Sequence, residues 1–262
     1  MLKGLYTAYT GMLNQQNRMD IMTNNLANAD TTGYKKEGAT SQAFDSVMAV
    51  KIKDVTEGGS GANARRLGYV APGVKIGENY TDYSEGSLRE TGNTYDLALT
   101  DAGFFNIEFT NKAGETSTKY TRDGNFTLTT GGYLVTQDGD FVLGTNGQHI
   151  RLNPLLETSI NENGVISQNG TTVATLRLTD FADYDYLEKY GENLYQTIEG
   201  ATTQAVNANT QVYSGYLESS NVSVVNEMVN MISIARDYES NQKLVQTYDS
   251  SLDVTVNQLG KV

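Results

Sequence analysis

Two acidic side chains, Asp183 and Asp185, lie two residues apart in the segment FADYDYLEKY and could supply an acid and a base. Hydrolysis of a glycosidic bond needs such a pair, with the two carboxyl groups in different environments beside a sugar-binding cleft. This segment mixes polar residues with tyrosine and is more typical of an exposed surface. Two acids alone are weak evidence, and we expect no enzymatic activity.

Metal and nucleophile chemistry has little support in the sequence. The chain has no cysteine and one histidine, His149, which excludes cysteine or histidine-rich metal sites and makes a catalytic triad hard to build. The segment SINENGVIS places Asn161, Asn163 and Gly164 in the pattern of a calcium loop. The twelfth position counted from Ser159 is glycine instead of glutamate, so we interpret the segment as a β-turn and expect no cofactor.

Charge and hydropathy exclude further classes of partner. The 262 residues include 19 Lys and Arg against 31 Asp and Glu, which gives a net charge of −12. An acidic chain without clustered basic residues is a poor ligand for nucleic acid or an anionic membrane surface. No apolar run approaches the roughly 18 residues of a membrane span, and the N-terminus lacks the features of a secretory signal. We expect neither nucleic-acid binding nor membrane insertion.

Both ends of the chain have the seven-residue repeat of long amphipathic helices. At the N-terminus one set of positions recurs every seven residues from Leu2, and a second set from Leu5 is apolar throughout. At the C-terminus one set recurs every seven residues from Val224 and a companion set from Met228. Each seam is more apolar where it begins, as expected of coiled-coil-type helices with polar defects. Gly4, Ala8 and Gly11 share a face where another backbone could approach. The apolar seam residues are Leu2, Leu5, Tyr9, Met12, Met19 and Leu26, and Val224, Met228, Met231, Ala235, Tyr238, Val245, Leu252 and Leu259.

Between the helices the pattern changes to the two-residue period of β-strands. Segments such as FFNIEF and TVATLRL alternate, and Gly124, Gly132, Gly139 and Gly147 recur every seven or eight residues at turn-forming pairs. The sequence therefore predicts an α+β fold in which long N- and C-terminal helices flank a central antiparallel β-rich domain. The predicted segments are 1–36 (helix and Asn-rich signature), 37–73 (a Gly- and Ser-rich linker or loose loop), 74–217 (β-rich domain) and 218–262 (helix).

The segment NNLANADTTGYKK, residues 24–36, places poor helix formers where a helix should continue. A fraying helix end is one explanation. The other is that Asn24 and Asn28, one turn apart, bond backbone groups of a neighbouring helix and fix its register, as buried polar residues do in coiled coils. Gly33 would then supply a left-handed position that stops the helix. Because the segment also resembles a signature of a known protein family, we favour the interface role, in which we include Asn25 and Leu26.

The same segment resembles the N-terminal signature of the flagellar rod and hook axial proteins. Asn24, Asn25, Leu26, Ala27, Asn28, Thr31, Gly33, Tyr34 and Lys35 occupy its fixed positions. The run SNVSVVNEMVNMISIARDYESNQKLVQTYDSSL is similar to the closing helix of that family, and TGNTYDLALTDAGFF and YTRDGNFTL resemble its β-domain. One departure is Ser250-Ser251, where the family more often has a larger apolar residue; this weakens the last turns of the seam.

The resemblance implies a structural subunit of the flagellar basal-body rod, proximal or distal, exported unfolded by the flagellar type III apparatus. Its expected partners are copies of itself, neighbouring rod and hook proteins and the export apparatus, at a site outside the cytoplasmic membrane where the rod crosses the cell wall. The terminal helices would be poorly ordered alone and would fold on assembly into a helical tube. The alternative is a protein that binds or hydrolyses cell wall on the same route; an unrelated β-rich adhesin would leave the terminal repeats unexplained.

Overall fold

A computed structural model describes residues 2–52, 64–207 and 209–259 of the chain. Two long helices and a series of short antiparallel strands confirm the predicted α+β class with a β-rich centre. The chain forms two compact units. Unit 1 comprises Met1–Leu26, Glu37–Thr81 and Val224–Val262, and unit 2 comprises Ala27–Lys36 and Asp82–Ser223. Within the described ranges, no helix has both the length and the apolar character that a membrane span requires.

Unit 1 contains the two terminal helices and two pairs of strands. Proline is absent from both helical segments, and Glu227 in the first turn of the second helix complements the helix dipole. A short π-helical turn, Thr255–Leu259, follows the second helix. The elements are α1 (Leu2–Ala27), β1 (Glu37–Ala43), β2 (Val47–Ile52), β3 (Ala64–Val70), β4 (Val74–Thr81) and α2 (Val224–Val254).

The two helices of unit 1 contact each other through glycines on α1. A Cβ added to Gly4 would lie 2.8 Å from Cζ of Tyr248, and one added to Gly11 would lie 3.0 Å from Nδ2 of Asn241. The contacts move toward the N-terminus of α2 as they move toward the C-terminus of α1, so the helices are antiparallel. The small residues predicted to admit a neighbour therefore face α2 of the same chain.

The segment predicted as a linker or loose loop contains three strands. β1 pairs with β4 from Glu37 opposite Thr81 to Ala43 opposite Val74, and β2 pairs with β3. The run VMAVKI in β2 is rich in β-branched residues, which favour strands and here outweigh the Gly and Ser content of the neighbouring sequence. Part of the predicted linker, residues 53–63, lies outside the described residues.

Unit 2 consists mainly of short antiparallel strands. These strands are β5 (Leu88–Glu90), β6 (Leu97–Leu99), β7 (Phe104–Thr110), β8 (Thr116–Thr121), β9 (Phe126–Leu128), β10 (Leu134–Thr136), β11 (Phe141–Val142), β12 (Thr158–Ile160), β13 (Val165–Gln168), β14 (Thr171–Thr175), β15 (Leu178–Phe181), β16 (Leu187–Tyr190), β17 (Leu194–Thr197), β18 (Thr203–Gln204), β19 (Val212–Ser214) and β20 (Tyr216–Glu218). Nine of them form one sheet in the order β16-β17-β8-β7-β11-β10-β9, with β15 beside β7 and β18 beside β15. Smaller pairs and a three-stranded sheet, β12-β13-β14, complete the unit.

The predicted turns at Gly132, Gly139 and Gly147 are confirmed, since each of these residues has positive φ. At Gly124 the predicted hairpin turn is wrong, because β8 and β9 on either side of it do not pair with each other. Gly164 donates its amide to the carbonyl of Asn161 at 2.8 Å in the predicted turn between β12 and β13. The apolar faces that these turns bring together form two buried clusters. The larger contains Leu97, Leu99, Phe105, Ile107, Phe126, Leu134, Val142, Ile150, Leu152, Ile166, Leu176 and Val212. The smaller is mostly aromatic, with Phe104, Tyr120, Phe181, Leu187 and Tyr195.

Candidate functional site

The signature segment is held within unit 2 at Gly33. This residue has φ +65°, and its amide donates a hydrogen bond to the carbonyl of Glu218 at 2.9 Å. A Cβ there would collide with the amide nitrogen of Asp123 and lie 2.5 Å from the carbonyl carbon of Arg122, so glycine is required on two grounds. The predicted left-handed conformation is confirmed. The predicted role in stopping the helix is wrong, because α1 ends at Ala27, six residues earlier.

Next to Gly33, two buried cations share one carboxylate. Nζ of Lys35 donates to Oε1 of Glu218 at 2.6 Å and to the carbonyl of Ser84 at 2.7 Å. Nη1 of Arg122 lies 3.6 Å from the other oxygen of Glu218. Burial lowers the pKa of Lys35, although the hydrogen-bonded Glu218 opposes that effect. Glu218, in the last strand before α2, thus neutralises part of the combined positive charge of Lys35 and Arg122.

The residues on either side of Lys35 also bind unit 2. The ring of Tyr34 is fully buried, and Nζ of Lys189 lies 3.8 Å from its centroid. Oγ1 of Thr32 donates to Oδ1 of Asp123 at 2.7 Å, and Nδ2 of Asn193 donates to Oδ2 at 2.9 Å. Burial nevertheless raises the pKa of Asp123, with these hydrogen bonds acting in the opposite direction. The end of the signature, residues 32–36, is therefore a structural segment of unit 2 in which Gly33, Tyr34 and Lys35 are buried.

Asn221 completes this site from the C-terminal side. Its Oδ1 accepts a hydrogen bond from the amide of Lys36 at 2.7 Å, and its Nδ2 donates to the carbonyls of Asp82 and Ser84 at 2.8 and 3.2 Å. Sequence reasoning matched Asn221 to the family pattern and interpreted it, with Ser219 and Ser220, as cap material for the C-terminal helix, whereas its side chain bonds Lys36, Asp82 and Ser84. It also missed the buried partners Arg122 and Glu218, for which spacing gives no signal, because their positions are far from the signature.

The asparagines of the signature form contacts within the chain. Asn25 is fully buried in unit 1, where its Nδ2 donates to the carbonyl of Glu37 at 2.8 Å and its Oδ1 accepts from the amide of Glu37 at 2.9 Å. Oδ1 of Asn28 accepts from Oγ1 of Thr31 at 3.1 Å. The side chain of Asn24 is exposed. The inter-helix register role assigned to Asn24 and Asn28 stays a prediction.

On α1, the predicted seam is half-buried and a second apolar face is exposed. Tyr9 has 53% of its surface exposed and lies on one face with Tyr6 and Leu13, at spacings of three and four residues. We call Tyr6, Tyr9 and Leu13 the α1 stripe. The side chain of Leu2 lies outside the described residues. The half-buried predicted residues are Leu5, Met12, Met19 and Leu26, whereas the fully buried residues of the helix are Ala8, Thr10, Asn14 and Asn25.

On α2, one predicted set of positions is partly buried and the companion set is displaced by one residue. The companion set is predicted four residues after each member of the first set, but the less exposed side chains lie three residues after Met231, Tyr238 and Val245. They are Ile234, which is buried, and Asn241 and Tyr248, which are half-buried. Sequence reasoning missed these three residues; a spacing of three, which also fits a heptad, would have found them. The side chain of Leu259 lies outside the described residues. The half-buried predicted residues are Met231, Ala235, Tyr238, Val245 and Leu252.

The first turns of α2 carry a continuous exposed apolar face. Val225, Met228, Val229 and Ile232 recur at the three- and four-residue spacing of one helix face, and Val225 is 71% exposed. We call these four residues the α2 stripe. The predicted seam residue Val224 is exposed beside it. Exposed apolar faces of this kind mark interaction surfaces.

A groove in unit 1 adjoins the α1 stripe. It has a volume of about 670 Å³ and its walls are mostly apolar. Lys3 is the charged residue among those that line it. The remaining lining residues are Leu5, Tyr6, Tyr9, Met12, Pro72 and Val245. Three predicted seam residues of α1 and one of α2 thus meet at a single surface.

The acidic pair that could have served as a catalytic acid and base has a structural role. Oδ1 of Asp183 accepts a hydrogen bond from the amide of Asp185 at 3.0 Å and caps the short 3₁₀ helix Tyr184–Tyr186. Both side chains are exposed. His149 stacks on Phe141 with ring centroids 4.2 Å apart and is paired with Glu108.

Comparison with known protein families identifies the chain along most of its length. Family models match residues 5–35 (Flagella basal body rod protein), 98–168 (Flagellar hook protein FlgE/F/G D1 domain) and 213–259 (Flagellar basal body rod FlgEFG protein C-terminal). The first match contains most of α1 and the signature through Lys35. The last contains Glu218, Asn221 and α2. The matches therefore include the main residues of the buried site and both exposed stripes.

Full-length relatives agree with the family models. The chain is 34% identical to the flagellar basal-body rod protein FlgG of Bacillus subtilis, over 98% of this chain and 99% of that protein. It is 33% identical to the flagellar basal-body rod protein FlgF of Caulobacter vibrioides and 32% identical to the flagellar hook-basal body complex protein FlhO of Bacillus subtilis, in both cases over the whole of both chains. The chain therefore belongs to the flagellar basal-body rod proteins, which are structural subunits of the basal body and not enzymes.

Proposed function

We propose that the chain is exported unfolded by the flagellar type III apparatus and polymerises head-to-tail through its terminal helices into the helical tube of the rod. Its partners are copies of itself and neighbouring rod and hook proteins, and the assembled tube transmits torque outside the cytoplasmic membrane. The observation that carries this proposal is the pair of exposed apolar stripes on α1 and α2.

The stripes favour association because each Å² of apolar surface removed from water contributes about 25 cal/mol. They lie at different positions relative to the antiparallel helix contacts: the α1 stripe overlaps the stretch from Gly4 to Gly11, whereas the α2 stripe precedes Asn241 by nine residues or more. A contact between unlike surfaces of two copies is heterologous, and it generates an open helical polymer when the rotation does not close a ring. The α1 stripe of one copy and the α2 stripe of another are suitable partners for such a contact.

The predicted seam residues belong to the same assembly surface in this proposal. Leu5, Met12 and Val245 contribute through the groove, and the half-buried residues of α2 at seven-residue spacing provide a coiled-coil-type seam. The full interface assigned from the sequence is Leu2, Leu5, Tyr9, Met12, Met19, Asn24, Asn25, Leu26, Asn28, Gly33, Val224, Met228, Met231, Ala235, Tyr238, Val245, Leu252 and Leu259. Of these, Asn25 and Gly33 contribute to assembly only by holding the fold of the subunit, since their hydrogen bonds to Glu37 and Glu218 lie within the chain.

The experiment replaces two apolar residues of the α2 stripe with charged ones. Cells whose single copy of the gene carries Met228→Glu with Ile232→Glu should form basal bodies that stop at the rod, without a hook, because buried carboxylates oppose the contact. The matched control is Asn226→Glu, an exposed polar position on the same turns of α2. Electron microscopy of purified basal bodies shows where assembly stops. Complete hooks and normal motility in the double variant would refute the proposal.

A further inference from the structure

The nine-stranded sheet of unit 2 comes from one continuous stretch of the chain. All of its strands lie between residues 104 and 204, and several neighbours in the sheet are consecutive in sequence, such as β7 with β8 and β16 with β17. Contacts between consecutive strands close short loops and therefore cost little chain entropy. We call residues 104–204 the body of unit 2.

The C-terminal end of unit 2 pairs with the residues that precede the body. β19 pairs with β6 and β20 pairs with β5, and the amide of Ser219 donates to the carbonyl of Ser87 at 2.9 Å. Oε1 of Glu218, in β20, accepts a hydrogen bond from the amide of Gly86 at 2.9 Å. These contacts hold the carboxylate of Glu218 beside the end of the signature segment.

The end of the signature segment takes its backbone hydrogen bonds from that C-terminal end. We call residues 32–36 the clasp. The amide of Gly33 donates to the carbonyl of Glu218 at 2.9 Å, and the amide of Lys36 donates to Oδ1 of Asn221 at 2.7 Å. The second bond joins residues 185 positions apart. It closes a much longer loop than a hairpin does, and the entropic cost of closure rises with loop length.

The charge of Lys35 also makes the clasp dependent on Glu218. The side chain of Lys35 is 1% exposed, and its Nζ lies 2.6 Å from Oε1 of Glu218. Arg122, which follows β8 in the body, is buried beside the same carboxylate. Without Glu218 the clasp would bury Lys35 next to a second cation, and an uncompensated buried charge is strongly destabilising. The contacts that the body forms with Thr32 and Tyr34 do not remove that cost.

We infer that unit 2 closes in two stages, in which the body folds first and the clasp binds only after β20 has brought Glu218 to Lys35. The clasp is thus a conformational device that responds to the C-terminal end of unit 2. In an unfinished chain the signature segment stays unbound until residue 221 has been made. This order of events suits the proposed export of an unfolded chain, but it does not depend on that proposal.

Pulse-labelled hydrogen exchange during refolding of the full chain tests the two stages. The amides of Asn106 and Leu143, which donate to the carbonyls of Arg177 and Asn106 at 3.3 and 2.9 Å, report on the body. The amides of Gly33 and Lys36 report on the clasp. They should gain protection about tenfold or more slowly than the body amides, because their bonds close a far longer loop. Protection of all four amides at one rate would overturn the inference.

Native-state hydrogen exchange in Glu218→Gln tests the dependence on the carboxylate. The variant keeps the backbone carbonyl that accepts from Gly33, so a loss of protection there reports on the charge. The amides of Gly33 and Lys36 should exchange about a hundredfold faster than in wild type, as expected when a buried ion pair loses one partner. The amides of Asn106 and Leu143 should keep their wild-type rates. Equal acceleration of all four amides, or unchanged exchange at Gly33, would contradict the inference.

Two further variants separate the charge effect from a general loss of stability. Glu192→Gln makes the same chemical change at an exposed turn of unit 2 and should leave all four amides at their wild-type rates. Lys35→Met in the Glu218→Gln background removes the cation that needs the carboxylate, so it should slow exchange at Gly33 again by at least tenfold. A double variant that exchanges at Gly33 as fast as the single one would also count against the inference. The refolding experiment uses wild type and stands even if Glu218→Gln does not fold.

Discussion

Replacing Gly33 with alanine should destabilise unit 2 much more than the same replacement at Gly147. Both residues have a left-handed backbone conformation, with φ +65° and +70°. Both substitutions therefore cost the same conformational free energy of about 1–2 kcal/mol. The surroundings differ. A Cβ at Gly33 would lie 2.5 Å from the carbonyl carbon of Arg122, whereas nothing lies within 4 Å of a Cβ at Gly147.

The additional cost at Gly33 follows from the contacts that the collision would break. The colliding atoms are backbone, so the signature segment must move away from Arg122 and Asp123. That movement removes the hydrogen bond from the amide of Gly33 to Glu218 at 2.9 Å and the bond from Thr32 to Asp123 at 2.7 Å. A neutral hydrogen bond contributes about 1 kcal/mol and one to a charged group about 1.5–3 kcal/mol, so the difference between the two variants should be about 2–4 kcal/mol.

Equilibrium unfolding in urea measures this difference. The 17 tyrosines provide the fluorescence signal, since the chain contains no tryptophan. Gly147→Ala controls for the left-handed backbone, and the two free energies of unfolding are compared at zero urea by linear extrapolation. If Gly33→Ala lies within about 1 kcal/mol of Gly147→Ala, which is no more than one lost hydrogen bond, the tight docking of the signature segment on unit 2 is refuted.

Three further predictions concern the buried charges and the helix contact. Glu218→Gln should lower the free energy of unfolding by about 3–5 kcal/mol, because Lys35 and Arg122 stay buried without their shared carboxylate. Lys35→Met should lower it by less, because Arg122 and Glu218 remain as one cation and one anion. Equal losses of the two variants in urea unfolding would contradict this. Burial holds the pKa of Lys35 below its ordinary value of 10.5, so the unfolded chain binds more protons just below that pH. The stability of wild type relative to Lys35→Met should therefore rise as the pH approaches 10.5, and a fall over that window would show the sign to be wrong. Gly4→Ala should lower the melting temperature of the helices measured by circular dichroism, and adding Tyr248→Ala should restore part of it; simply additive losses would count against the contact.

The elements of the fold follow from local periodicity and could be predicted. The seven-residue repeats indicate α1 and α2, and the alternating segments with glycine-containing pairs indicate the antiparallel strands and turns of unit 2. β2 was missed because its short Val- and Ile-rich run stands beside Gly- and Ser-rich sequence. In that stretch the composition favours a linker, but pairing of β2 with β3 decides the structure.

The buried site was not predictable in the same way. Lys35 and Glu218 are 183 residues apart, and lysine and glutamate are almost never fully buried unless they are paired. No pattern within a helix or strand identifies such a pair. For the asparagines, sequence reasoning compared Asn24 and Asn28 by helical spacing, whereas Asn25 is the buried one because its amide matches the backbone of Glu37.

Crosslinking in assembled basal bodies tests the central claim, assembly through the exposed stripes of the terminal helices, most directly. A photoreactive amino acid at Tyr9 in the α1 stripe should crosslink, on irradiation, to α2 of another copy or to a neighbouring rod or hook protein. The same amino acid at the exposed Lys112 of unit 2 is the control for chance proximity. The account predicts intermolecular products mapped by mass spectrometry to Val225–Ile232 or the equivalent segment of a neighbour. Basal bodies in which Tyr9 gives no intermolecular product would contradict it.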